Sequence, residues 1–198
     1  MRKNIIKAGF KSLINCRGLS LLELLIAALI TGIMATAAFS FYSKMHIQSE
    51  TQYEISECQL MCRTSLSDIR KTLRMAGYKI ATPPFYEING DSLSIYFSDT
   101  QPVDTIIYFL REFSVSDYQK YPGLPPGTKM HRLMKQINSA PPSIFTDFIE
   151  EISFTAVDAA NVDISITAHA SRSDDSYKIN GGYHIYTLSE RVNIRNAG

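Results

Sequence analysis

The chain has 198 residues, 45% of them hydrophobic, with 20 basic and 19 acidic residues and a net charge of +1. That is enough apolar material for a folded core and one domain-sized unit. The balance excludes a generally basic nucleic-acid binder, which needs clustered Lys and Arg for phosphate contacts, so no nucleic-acid partner is expected.

The charge is unevenly placed. Residues 1–18 carry Arg2, Lys3, Lys7, Lys11 and Arg17 and no acid. Without those five, 15 basic residues face 19 acidic ones, a net of −4. A basic leader ahead of an apolar segment places the N-terminus in the cytoplasm by the positive-inside rule. The apolar segment follows at once: no charge occurs between Glu23 and Lys44. As a helix, Leu24 to Tyr42 covers about 28 Å, close to the ~30 Å hydrocarbon core of a bilayer. Glu23 is the only carboxylate near this run, and burying it costs about 2.5–3.5 kcal/mol on insertion scales, so it requires a partner.

These residues resemble the type IV pilin and pseudopilin family. The resemblance lies in a short basic leader ending in Gly18, then Leu19-Ser20-Leu21-Leu22-Glu23 and an apolar helix with Gly32. It implies that a prepilin peptidase cuts between Gly18 and Leu19 and that the new Leu19 amine is N-methylated. Glu23 is then the assembly residue, and the apolar helix packs into a filament core. Leu19 stands where the family usually has Phe, and Ser40 stands where a helix-bending Pro is common. The missing Pro implies a straighter helix, associated with minor subunits. The rival reading is an ordinary signal peptide cut after Ala35-Thr36-Ala37. Against it stand the length of the apolar run and the Glu within it.

Beyond the run, Ile55, Cys58, Cys62, Leu66, Ile69, Leu73 and Ala76 recur every three or four residues, with polar residues largely between them. That spacing predicts one apolar stripe on a helix from about Leu19 to about Ala76, stopped at Gly77. Cys58 and Cys62 share a helix face and read as small buried hydrophobes. An intrahelical disulfide between them stays open on Cα spacing in an oxidising periplasm, although helix geometry strains it. Cys16 leaves with the leader.

The remainder predicts strands and turns. Asn89-Gly90-Asp91 marks a hairpin turn between Tyr86–Ile88 and Ser92–Ser98. Asp104–Phe113, Lys129–Ile137, Glu151–Val157, Val162–Ala170 and Tyr183–Ile194 read as further strands. Ser114–Gly127, with Pro122, Pro125 and Pro126, reads as a long loop. Ile144–Phe148 reads as a connection after Pro141-Pro142, and Ser171–Gly182 as a hairpin loop. A helix followed by strands predicts an α+β fold with an antiparallel sheet. The expected division is leader 1–18, transmembrane or filament-core helix 19–43, amphipathic continuation 44–80, and periplasmic sheet domain 81–198.

No catalytic motif, metal-ligand spacing or cofactor motif stands out. His46, His131, His169 and His184 are scattered, and Asp174-Asp175 lacks an EF-hand pattern. Within the family, Asp68-Ile69-Arg70, Arg74–Tyr78, Val103–Leu110 and Arg191–Asn196 are similar to the PilW and GspJ type of minor subunit. The resemblance therefore implies a non-enzymatic assembly subunit of a type IV pilus or type II secretion pseudopilus. Its partners would be prepilin peptidase, other minor and major (pseudo)pilins and inner-membrane lipid, and its place the inner membrane and then the filament, at its tip. Two other classes compete: a conventionally secreted periplasmic binding protein or enzyme, and an adhesive module contacting ligand through loops 114–127 and 171–182.

Overall fold

The computed structural model describes residues 20–98, 103–121, 124, 129–174 and 177–196. Gly18, Leu19, Cys16 and the rest of the leader, together with Pro122, Pro125, Pro126 and Asp175, lie outside the described residues. The chain forms two compact units, 1–47 and 48–198.

Helix α1, Leu21–Leu73, contributes to both units. In the first, every described residue through Ile47 is exposed, including Leu21 at 81% and Phe39 at 74%. This is an apolar helix long enough to cross a membrane. In the second unit α1 is amphipathic, and its buried residues are Cys58, Cys62, Ser65, Leu66, Ile69, Thr72 and Leu73. The helix ends at Leu73, short of the expected Ala76, and turn residues 74–79 carry the last stripe residue, Ala76, into the core. Gly77 has φ +76°, and a Cβ there would stand 2.9 Å from the Phe85 ring, so only glycine meets both conditions.

The rest of the second unit is a seven-stranded antiparallel meander in sequence order. Its strands are β1 (Tyr86–Asn89), β2 (Ser92–Phe97), β3 (Asp104–Glu112), β4 (His131–Ile137), β5 (Ser143–Ala156), β6 (Asn161–His169) and β7 (Ile185–Asn193). The sheet curls: Tyr86 Oη of β1 donates to the Asp158 carbonyl in the β5–β6 turn at 3.2 Å. Period-2 alternation puts Leu93, Ile95, Tyr108, Ile164, Ile166 and Val192 in one core with the α1 stripe. The α+β expectation, an antiparallel sheet behind a long apolar helix, holds.

Three expectations change. Ile144–Phe148 is strand, not connection: it is the first half of β5, paired with β4 through Met134↔Ile144 and Leu133↔Thr146. A bulge follows, with Phe148 at φ 57° and a register shift between Ile149 and Glu151, after which β5 continues along β6. The segment expected as a loop from Ser114 contains a short helix, α2 (Val115–Lys120), started by a capping box between Ser114 and Asp117. The intrahelical disulfide left open for Cys58 and Cys62 is not formed; both are free thiols, 2% and 0% exposed. Burial pushes the Cys58 thiol up to about 12 and the Cys62 thiol to about 11. Cys62 Sγ donates toward the carbonyls of Ile166 at 3.6 Å and Tyr186 at 3.4 Å. Both act as small apolar side chains against the sheet.

The α1–sheet interface also contains a polar group. Asp68 Oδ2 accepts from Tyr108 Oη at 2.6 Å and from Lys135 Nζ at 2.6 Å, and Thr72 Oγ1 lies 2.9 Å from the same tyrosine oxygen. Tyr108 is fully buried, and burial, followed by its bond to Asp68, pushes its phenol well above the usual range. Satisfied polar groups of this kind fix one register of helix on sheet.

Two outcomes follow for the isolated second unit. A fragment from Gln48 to Gly198 should be soluble and unfold cooperatively, whereas Thr82–Gly198 should be insoluble because the sheet face is left uncovered. Within the longer fragment, Ile69→Ala should cost about 2–5 kcal/mol in denaturant melts. A soluble, cooperatively folding Thr82–Gly198 fragment would contradict this.

Candidate functional site

The site with the most specific residues is the start of α1. Ser20 precedes the helix and Leu21 begins it. Leu24 N–H donates to the Ser20 carbonyl at 3.1 Å, closing the first α-helical turn. Leu22 N–H donates to Ser20 Oγ at 3.3 Å, and Ser20 N–H donates to Glu23 Oε2 at 2.9 Å. This is the reciprocal cap of a Ser-x-x-Glu sequence, and it takes up two of the donors that a helix start leaves without partners. Glu23 also adds a negative charge at the positive end of the helix dipole. From Leu24 to Ser43 the exposed surface is uncharged, so this carboxylate is the one anchor for a cation on that stretch. Farther along, Thr31 and Thr36 donate their hydroxyls to carbonyls of the preceding turn, which satisfies them within the helix.

The second unit carries two loop clusters. In the first, α2 is held by Arg132, whose guanidinium pairs with Asp117 at 2.7 Å and Asp147 at 2.6 Å and lies 4.8 Å from the Phe113 ring. Phe113, Tyr118, Tyr121 and Phe148 form an aromatic cluster beside Leu124 and Met130, with the closest rings, Tyr121 and Phe148, 4.8 Å apart. Tyr118 and Tyr121 are half-buried and pack against this cluster.

In the second cluster the β6–β7 loop clasps α1. Thr51 Oγ1 donates to Asp174 Oδ2 at 2.9 Å, His184 Nε2 lies 3.3 Å from the same oxygen, and Ser171 N–H donates to Glu54 at 3.2 Å. Asp174, weighed as half of a cation loop, is engaged with protein groups. Three histidines are likewise placed by local contacts: His131 and His169 on the carbonyls of Glu150 and Ala170, His184 on Asp174. Among the described residues no three metal-ligating side chains converge.

The outer face of β5–β7 is a shallow polar groove. Cross-strand pairs Ser165–Ser189 at 2.7 Å and Asp163–Arg191 at 2.7 Å and 2.8 Å line it. Its polar groups satisfy one another, which makes it a solvated sheet face. The sequence reading did not anticipate the α2 cluster, the α1 clasp or the helix cap. The Ser114-x-x-Asp117 and Ser20-x-x-Glu23 patterns were available as signals for two of them.

Residues 13–39 match the prokaryotic N-terminal methylation motif. The match contains Gly18, Leu19, Glu23 and Gly32, and it supports a type IV pilin-like subunit, a structural rather than a catalytic family. It implies processing by prepilin peptidase and assembly with other pilins, and it fits membrane anchoring through the apolar helix. No curated protein and no solved structure matches the chain.

Asp117 gives a pH test of the α2 anchor. The Ser114 hydroxyl and N–H, then Arg132, hold its carboxyl down at about 2 against an ordinary 3.8. A depressed carboxylate stabilises the fold above its ordinary value and loses that contribution as pH falls through the folded one. The ring resonances of Tyr118 and Tyr121 should therefore be unchanged down to about pH 4 and shift together with a midpoint near pH 2. Ser114→Ala should move that transition upward. Tyrosine shifts that change near pH 6 would refute the assignment.

Proposed function

We propose that the chain is a minor subunit of the PilW and GspJ type, which primes or caps a type IV pilus or a type II secretion pseudopilus. The observation that carries this is the methylation motif leading into a charge-free, fully exposed helical stretch. An apolar surface of that extent needs lipid or neighbouring helices around it. The proposed sequence of events follows from the charge distribution. The leader 1–18 stays cytoplasmic, residues 19–43 span the inner membrane, the helix continues from 44 to Leu73, and the sheet domain 81–198 folds in the periplasm. Prepilin peptidase removes the leader at Gly18-Leu19, Leu19 is methylated, and the subunit leaves lipid for the filament tip.

In this reading Glu23 selects the assembly register. Cleavage creates a cationic amine on Leu19, four residues before Glu23. Within one subunit that amine is the nearest partner for the carboxylate, and in a filament the amine of a neighbour takes its place. An unpaired carboxylate in hydrocarbon is strongly disfavoured, so one axial position of the incoming subunit is preferred over others. The minor-subunit assignment is supported by Ser40 in place of a helix-bending Pro and by the PilW-like segments at Asp68–Arg70 and Arg191–Asn196.

Crosslinking to partner subunits, run beside a processing blot, tests the role. Glu23→Leu should insert and be cleaved normally but fail to join the filament, and Glu23→Gln should be impaired more mildly. Wild-type crosslinking and filament formation by Glu23→Leu would refute the pairing role. The protein should also be scarce in sheared filaments, and its loss should lower filament number rather than diameter. Finding it as the bulk component would refute the minor-subunit assignment.

A further inference from the structure

The cap at the start of α1 treats the two oxygens of Glu23 differently. Oε2 accepts the Ser20 N–H at 2.9 Å, whereas Oε1 has no partner among the described residues. The carboxylate is therefore folded back over the helix start, with one oxygen held and the other open. A glutamate on a helix otherwise samples several staggered rotamers and loses that freedom when it forms an ion pair. Here the loss is taken within the chain, by a backbone donor three residues away that the helix cannot otherwise satisfy.

We infer that Ser20 is a positioning residue for Glu23: its backbone N–H holds the carboxylate in the one orientation that presents Oε1, beyond the helix end, to the amine of the assembly partner. The inference rests on the reading of Glu23 as the assembly contact and adds the device that aims it. It separates two properties of Glu23. Holding the Ser20 N–H needs only an acceptor, which glutamine also supplies; pairing with an amine needs the charge. It also separates two atoms of Ser20, since the hydroxyl caps Leu22 and only the N–H holds Glu23.

The test uses the mature full-length chain in detergent micelles and in membranes. Amide exchange at Ser20 should be about fivefold slower in wild type and Glu23→Gln than in Glu23→Leu, the ratio expected for a cap of ordinary strength. Ser20→Pro removes the N–H at the residue before the first helical one, where no intrahelical bond is lost. Scored on cleaved chains only, it should lose about as much crosslinking to partner subunits as Glu23→Gln, whereas Ser20→Ala and Ser20→Thr, which keep the N–H, should crosslink like wild type. Equal Ser20 exchange in wild type and Glu23→Leu overturns the inference, as does wild-type crosslinking by Ser20→Pro. If Glu23→Leu itself crosslinks normally, the assembly reading fails and the positioning role falls with it, while the exchange ratio still reports whether the cap exists.

Discussion

A single sheet with one apolar face cannot stand in water, and the second unit depends on covering that face with one stripe of one helix. The stripe from Cys58 to Ala76 does this with small and aliphatic side chains at helical spacing. The strands answer it with Leu93, Ile106, Ile152 and Ile166 at alternating positions. Apolar packing alone would allow the helix to slide along the sheet by a turn. The bonds from Asp68 to Tyr108 and Lys135 oppose that freedom, because a shifted helix would leave the buried Tyr108 phenol without its partner on the half-buried Asp68. The arrangement closes at Gly77, where the absence of a side chain lets Phe85 approach and the chain turn into the sheet.

The same helix obeys a different rule before residue 48. Between residues 20 and 47 the apolar side chains lie on all sides rather than in a stripe, and every one is exposed. Such a surface is not a soluble face but a demand for an apolar surrounding. Lipid and a bundle of like helices both satisfy that demand and differ little for Leu or Ile, so apolar contact does not by itself specify where a subunit stops. Under the proposed assembly role a single carboxylate supplies that specification: Glu23 lies outside the second unit and selects which neighbours satisfy the first.

Much of this was legible in the sequence because the signals are local. The three-and-four spacing from Ile55 to Ala76 gives the stripe, Asn89-Gly90-Asp91 gives the first hairpin, and alternation in β6 gives a half-buried strand. The misses have equally local causes. β5 hides its first half because the bulge buries both Phe148 and Ile149, which breaks the period of two. α2 is only six residues long, too short for any helical period, although its capping box could have been read. Asp68 looked like a solvated helix residue, since its partner Lys135 is 67 residues away and only the sheet brings the two together. Glu23 carries two roles at once, a charge beside an apolar run and the acceptor of the Ser-x-x-Glu cap, and the second shows in the bond to the Ser20 N–H.

The central claim is that the apolar segment is retained as a working helix rather than discarded as an export signal. The intact mass and N-terminal sequence of the protein extracted from membranes address it directly. The account predicts a chain that begins at Leu19 with a methylated amine and retains Glu23. A mature chain beginning at Ala38, after Ala35-Thr36-Ala37, would contradict it.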